Sequence, residues 1–265
     1  MDIEGGGEAG LTPGDTISLR DLLYMTLVPS KNDAATAVGM YVGSNPSWQP
    51  SWTARTQFVQ RMNERAAELG LSNTSYVDIS GRDPEDLNED GQLSEHAGCD
   101  ENDFDNPACA HYSTARDLAA LARVVLDDPL LASIVSTPSW RTTTWRSSTG
   151  AVRDTTYTTS NQLLPTRPQA YDGAYGVKTG TTDMARENLV SAARSGPPPA
   201  IDTSAAAQSY PAAAVSRRGA SERRIQSPGP NVIAVVLGSD DDSATTADRF
   251  TDSRTLLDFG LRRAP

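Results

Sequence analysis

Two short stretches carry the residue types that could do chemistry. The first is Tyr175-Gly-Val-Lys-Thr-Gly-Thr-Thr182, which holds one of only two lysines in the chain. Tyr175 and Val177 alternate with small or polar residues, the pattern of a buried edge strand, and Gly180 lets another backbone come close. On such a strand Lys178, Thr179 and Gly180 offer a cation, a hydroxyl and a free backbone N–H to a ligand lying alongside. The second stretch is Pro29-Ser-Lys-Asn-Asp33, where a hydroxyl, an ammonium and an amide meet at Ser30, Lys31 and Asn32. A plain capping turn would use the same residue types for local hydrogen bonds. The order of the two triplets, taken together, is the specific feature.

Elements on either side must hold these groups. Ser18 reads as a helix N-cap, followed by Leu19, Leu22, Leu23 and Leu27 at helical spacing. Pro29 ends that run. Asp33 can cap a second helix with Ala34, Ala35, Val38 and Val42 on one face, which leaves Ser30 and Asn32 in a tight connection between two buried helices. An amphipathic helix follows from Thr53 to Leu69 and stops at Gly70. Thr114 with Asp117 resembles a capping box for a helix that buries Leu118, Leu121, Ala122, Val125 and Leu126. Leu130 to Val135 makes a further short helix. Trp140 to Thr159, rich in Thr, Arg, Trp and Tyr around Gly150, predicts a β-hairpin. Glu187 to Ala193 and Val232 to Leu237 read as strands, the latter buried. A last helix from Ala247 to Leu261 would pack Phe250, Leu256, Leu257 and Leu261 on the sheet. Residues 196–230, rich in Pro, Ala, Ser and Arg, read as a long, mobile insertion between strands.

Bulk properties narrow the function. The chain of 265 residues can bury a sizeable core, and its formal net charge of -11 argues against nucleic acid or an anionic membrane as partner. No apolar run approaches the roughly 18 residues of a membrane span, and no signal-peptide pattern is present. Residues 83–105 carry ten acidic side chains and no Lys or Arg. Within them Asp86, Asn88, Asp90 and Gln92 match the first half of an EF-hand-type loop around Gly91, a candidate site for structural calcium. Ala97 stands at the twelfth position, where a bidentate Glu is expected, and a solvated acidic insertion is the alternative. Cys99 and Cys109 lie in the same loop. A local disulfide is the natural reading and favours an extracytoplasmic setting; two unpaired thiols are the alternative.

The order of elements resembles the transpeptidase-type fold of penicillin-binding proteins and serine β-lactamases, and within it the low-molecular-mass D-alanyl-D-alanine carboxypeptidases. The stretches that carry the likeness are Ser18-Leu-Arg-Asp-Leu-Leu-Tyr24, Pro29-Ser-Lys-Asn-Asp-Ala-Ala35, Leu69-Gly-Leu-Ser-Asn-Thr74, His111-Tyr-Ser-Thr-Ala-Arg-Asp117, Gly176-Val-Lys-Thr-Gly-Thr-Thr182 and Ile233-Ala-Val-Val-Leu-Gly238. The resemblance implies one α+β domain over residues 1–265, an antiparallel sheet flanked by helices with a helical subdomain. Residues 18–135 would form the mainly helical part, with the acidic loop 83–110, and residues 140–265 the mainly sheet part. The family arranges three motifs around one cleft. Its Ser-x-Asn would be Ser30, a proton relay, and Asn32, which holds the substrate's peptide group. Its Lys-Thr-Gly would be Lys178, Thr179 and Gly180. Lys178 would raise the local potential, the Thr179 hydroxyl would bind the terminal carboxylate, and the Thr181 N–H would serve the oxyanion hole. The implied partners are peptidoglycan stem peptides or β-lactams. No cofactor is required.

The family's nucleophile motif, Ser-x-x-Lys, is absent: Val28 and Tyr175 stand three residues before the two lysines. In the family that motif lies upstream of the segment matching Ile3 to Thr16. The expectation is therefore an N-terminally truncated fold, crippled in the family's own mechanism. Missing strands would expose apolar surface, which a homodimer could cover. Two other functions stay open: an improvised esterase using Ser30 with Lys178 or Lys31, and a non-catalytic module that binds stem peptides. His96 and His111 lie in or beside the acidic loop, so a Ser-His-Asp triad has little support.

Overall fold

The computed structural model describes residues 7–44, 52–83, 111–195, 232–239 and 248–263. Helices α1 (Leu19–Leu27), α2 (Asn32–Gly43), α3 (Trp52–Glu68), α4 (Ala115–Asp127) and α5 (Pro129–Val135) come first. Strands β1 (Ser139–Arg141), β2 (Thr156–Thr158), β3 (Ala174–Thr182), β4 (Arg186–Ala193) and β5 (Val232–Ser239) follow, and α6 (Asp248–Leu261) comes last. The expected calcium ligands Asp86, Asn88, Asp90 and Gln92, the cysteines Cys99 and Cys109, and the insertion 196–230 lie outside the described residues. None of the described helices is long and apolar enough to cross a membrane.

Helix α1 begins where the side chain of Ser18 accepts from the Asp21 N–H at 3.1 Å, and it ends before Pro29, whose ring and missing N–H forbid continuation. It buries Leu22, Tyr24 and Met25, while Leu19, expected on the same face, is exposed. Asp21 is buried as well. Its carboxylate accepts from Trp140 Nε1, the N–H groups of Thr143 and Thr144, and Thr144 Oγ1. A buried carboxylate so fully satisfied acts as a rivet between α1 and the segment after β1. The rings of Tyr24 and Trp140 stack on the same contact.

Asp33 does not cap α2. The capping position is Lys31, which makes no side-chain cap bond. Instead the Asp33 carboxylate reaches back to accept from the N–H groups of Ala9, Gly10 and Leu11 at 2.9–3.0 Å. Three backbone donors around one ionised acceptor outweigh a local cap.

Helices α2 and α3 cross at Gly43, where a Cβ would stand 2.0 Å from the carbonyl oxygen of Ala54. Backbone atoms cannot retreat as a flexible side chain would. Gly43→Ala is therefore expected to cost about 1–3 kcal/mol or more, read as a lowered urea midpoint. An unchanged midpoint would show that the crossing yields.

The main sheet has the order β3-β4-β5 and is antiparallel throughout, with Lys178 opposite Val190 and Leu189 opposite Val236. Ala122 and Leu126 of α4 and Val135 of α5 pack with Tyr175, Val177 and Ala192. Phe250 and Leu257 of α6 pack with Leu163, Ala174, Leu189, Ala193 and Ala234 in a second cluster. The result is an α+β arrangement, an antiparallel sheet flanked by helices. Two readings need correcting. Leu256 is exposed, because it lies about 120° around the helix from the stripe that Phe250 and Leu257 define. Strand β5 is only half-buried: Ala234 and Val236 face inward while Leu237 does not.

Candidate active site

Strand β3 forms an edge of the described sheet, which leaves Lys178 free to reach the α1–α2 turn. Its Nζ donates to Ser30 Oγ at 2.6 Å and to the Thr179 carbonyl at 2.6 Å. The first contact joins residues 148 positions apart. Ser30 adopts φ 62°, the left-handed region that non-glycine residues seldom enter. Such strain, roughly 1–3 kcal/mol, persists only where the surroundings over-determine it. Here the Lys31 N–H bonds to the Met25 carbonyl and the Asn32 N–H to the Gly7 carbonyl, and both bonds lock the turn.

Among the described residues Lys178 has no carboxylate within ion-pair distance. Burial disfavours its charged form, the Arg249 guanidinium repels it further, and the amine is pushed down to about 8. Ser30, Asn32, Lys178, Thr179, Gly180 and Thr181 all border one cavity of about 640 Å³. A Cβ on Gly180 would meet nothing within 4 Å, so the strand is open there to an approaching chain.

The two threonines differ. Thr179 is buried, and its hydroxyl shares a short hydrogen bond with the Ser160 hydroxyl. Thr181 is exposed, and its Oγ1 accepts from Arg249 Nη1 at 2.6 Å. Arg249 is buried, lies 3.7 Å from Glu187 and stands over the Phe250 ring. Sequence reasoning missed both Ser160 and Arg249. An arginine beginning a terminal helix reads as surface charge, and nothing near it in the chain points to Thr181.

The opposite wall, residues 79–83, rests on a buried ion pair. Arg55 Nη1 meets Asp78 Oδ1 at 2.5 Å, and Asp78 Oδ2 accepts from Ser80 N, Ser80 Oγ and Gly81 N. Asp83 then accepts from the Met184 N–H in the β3–β4 turn, which ties the wall to the sheet. His111 also borders the cavity, although the sequence placed it with the acidic loop. Its Nδ1 accepts from the Val77 N–H at 3.5 Å and its ring stands edge-on to Tyr76, while the Ser30 hydroxyl is engaged by Lys178. Among the described residues no group of His, Cys, Asp and Glu is arranged to hold a metal ion.

Residues 4–207 match the peptidase S11 family, described as D-alanyl-D-alanine carboxypeptidase, and the chain belongs to that family. A D-alanyl-D-alanine carboxypeptidase of Streptomyces sp. (strain K15) is 32% identical over 207 residues, covering 77% of this chain and 60% of that protein. The carboxypeptidase DacF of Bacillus subtilis (strain 168) is 27% identical over 197 residues, covering 72% of this chain and 39% of that protein. A solved structure of a point mutant of the Streptomyces K15 DD-transpeptidase superposes with a TM-score of 0.65 at 25% identity over 97% of this chain and 72% of its own. The fold is thus that of the penicillin-binding, β-lactamase-like enzymes. The chain spans about half the length of the curated relatives it matches.

Proposed function

We propose that this chain carries the ligand-gripping walls of a serine-type D-alanyl-D-alanine carboxypeptidase cleft, which takes the D-Ala-D-Ala end of peptidoglycan stem peptides outside the cytoplasm. The observation that carries the reading is the 2.6 Å contact between Lys178 Nζ and Ser30 Oγ, made between two separate segments that both line the cavity. An amine near 8 can hold or release a proton at working pH, and Ser30 is placed to pass it on. Asn32 supplies an amide for the peptide group. The carboxylate would take the Thr179 hydroxyl from Ser160, and the open backbone from Gly180 to Thr181 would face the scissile carbonyl. No serine stands three residues before either lysine, so the family's nucleophile motif is not supplied by these 265 residues.

The test is to incubate the folded protein with a penicillin and, separately, with a D-Ala-D-Ala-ended peptide. Intact mass and equilibrium binding are then measured. Reversible binding of both with no mass shift is the expected result, and no binding by the folded protein would overturn it. A second reading is favoured by the same contact run in reverse, with the neutral amine accepting the Ser30 proton and Ser30 attacking as an improvised nucleophile. A penicilloyl adduct mapped to Ser30 would select that reading.

A further inference from the structure

Lys178 differs chemically from an ordinary lysine, and the difference does not depend on which ligand the cleft takes. Its Nζ has two hydrogen-bond contacts, both with acceptors: Ser30 Oγ and the Thr179 carbonyl. A neutral amine has two N–H bonds and one lone pair. The two contacts use the N–H bonds and leave the lone pair for a third direction. Among the described residues no carboxylate pairs with the amine, so no ion pair holds it as ammonium. Lys178 borders a cavity of about 640 Å³, room for a small molecule. Lys31, the only other lysine of the chain, borders the same cavity. A molecule held there meets two amines that differ in their surroundings.

We propose that Lys178 Nζ is a site of covalent modification by small aldehydes, which condense with it to an imine inside the cleft. The Nζ lone pair attacks the carbonyl carbon and an N–C bond forms. The carbonyl oxygen takes a proton originally on the amine, giving the carbinolamine. Loss of the hydroxyl as water, with the second N–H proton, leaves the C=N bond. No oxidant or reductant enters the condensation. The Ser30 hydroxyl, already within 2.6 Å, is placed to carry protons between nitrogen and oxygen. The imine has no N–H left to donate to the Thr179 carbonyl, so modification removes that bond and leaves the Ser30 hydroxyl able to meet the nitrogen only as a donor.

The experiment treats the native protein with acetaldehyde and cyanoborohydride, which fixes any imine as an ethyl group, and maps both lysines by peptide mass spectrometry over short times. At pH 8 a half-neutral Lys178 is expected to label at least about tenfold faster than Lys31. Its rate should fall about fivefold from pH 8 to pH 7, following the neutral fraction of an amine near 8. In urea the two lysines should label at similar rates, and Lys31→Arg should leave Lys178 labelling intact. Equal or faster labelling of Lys31 in the native protein would overturn the proposal. So would an unlabelled Lys178, or a preference for Lys178 that persists in urea.

Discussion

Lys178→Met is expected to stabilise the protein near neutral pH and to erase a rise in stability that the parent shows between about pH 8 and pH 10. The folded-state amine is pushed down to about 8, whereas an unfolded lysine titrates near 10.4. Below both values each state is protonated, and the folded state bears the penalty of a buried, repelled cation. Between them the unfolded chain binds the extra proton, so stability rises with pH. Integrated over the window, the gain is on the order of 2–3 kcal/mol. Methionine keeps the stem's volume and removes the charge, so its curve should start higher and stay flat. Burial also raises Tyr171, to about 12, and Tyr175, each of which favours the protonated folded state and draws stability down above about pH 10. Urea midpoints at pH 7, 8, 9 and 10 for both proteins decide the matter, and parallel curves would refute the assignment. On the proposed function, losing the cation that raises the cleft's potential should also weaken binding of a D-Ala-D-Ala-ended peptide, read by equilibrium titration.

Asp78→Asn should be the most damaging single change outside the ligand-binding wall, at about 3–5 kcal/mol. Asparagine could still accept from Ser80 and Gly81. Its amide would then point N–H groups at the Arg55 guanidinium, leaving a buried cation without its counter-charge. Burial opposes ionisation of Asp78, but the bonds from Ser80 and the charge of Arg55 prevail and hold its carboxyl below the usual carboxylate range. The sign follows: its contribution is complete above that range and is lost as pH falls through the depressed folded value. The variant's acid unfolding should therefore be less steep than the parent's. Guanidinium titrations at pH 7 and pH 3 measure both effects, and a cost under about 1 kcal/mol at pH 7 would mean that the pair contributes little.

What could be read from the chain was local. Ser18 and Thr114 announce their helices because each cap bonds within three residues of itself, and Pro29 stops α1 by its own covalent geometry. The strand at Lys178 was legible from its alternation and its glycine. What escaped reading was decided by distant partners. Asp33 has the composition of a cap, yet three N–H groups from residues 9–11 claim it. Asp117 donates its N–H to Thr114 as a capping box requires, but its carboxylate turns instead to Asn73 N and Thr74 Oγ1. Arg249 and Ser160 hold the cavity's Thr181 and Thr179 from segments whose own sequence describes only a helix start and a loop. His111 borders the cavity because the bridge between Ser75 and Tyr112 carries it there. The pairing of Lys178 with Ser30 was expected only through the family likeness, since no spacing rule links positions 148 apart.

Lys178 feels the charge of Arg249 in a molecule whose formal net charge is -11. Seen from afar, the anionic peptide of the proposed function would meet a repelling body. At physiological salt the Debye length is about 8 Å, so the two cations are felt only in the last few ångströms of approach. For the ligand of the proposed function, such a cleft would lengthen residence rather than hasten encounter. Its rate of capture would answer to the surface charge as a whole, and its rate of escape to Lys178 within the cleft.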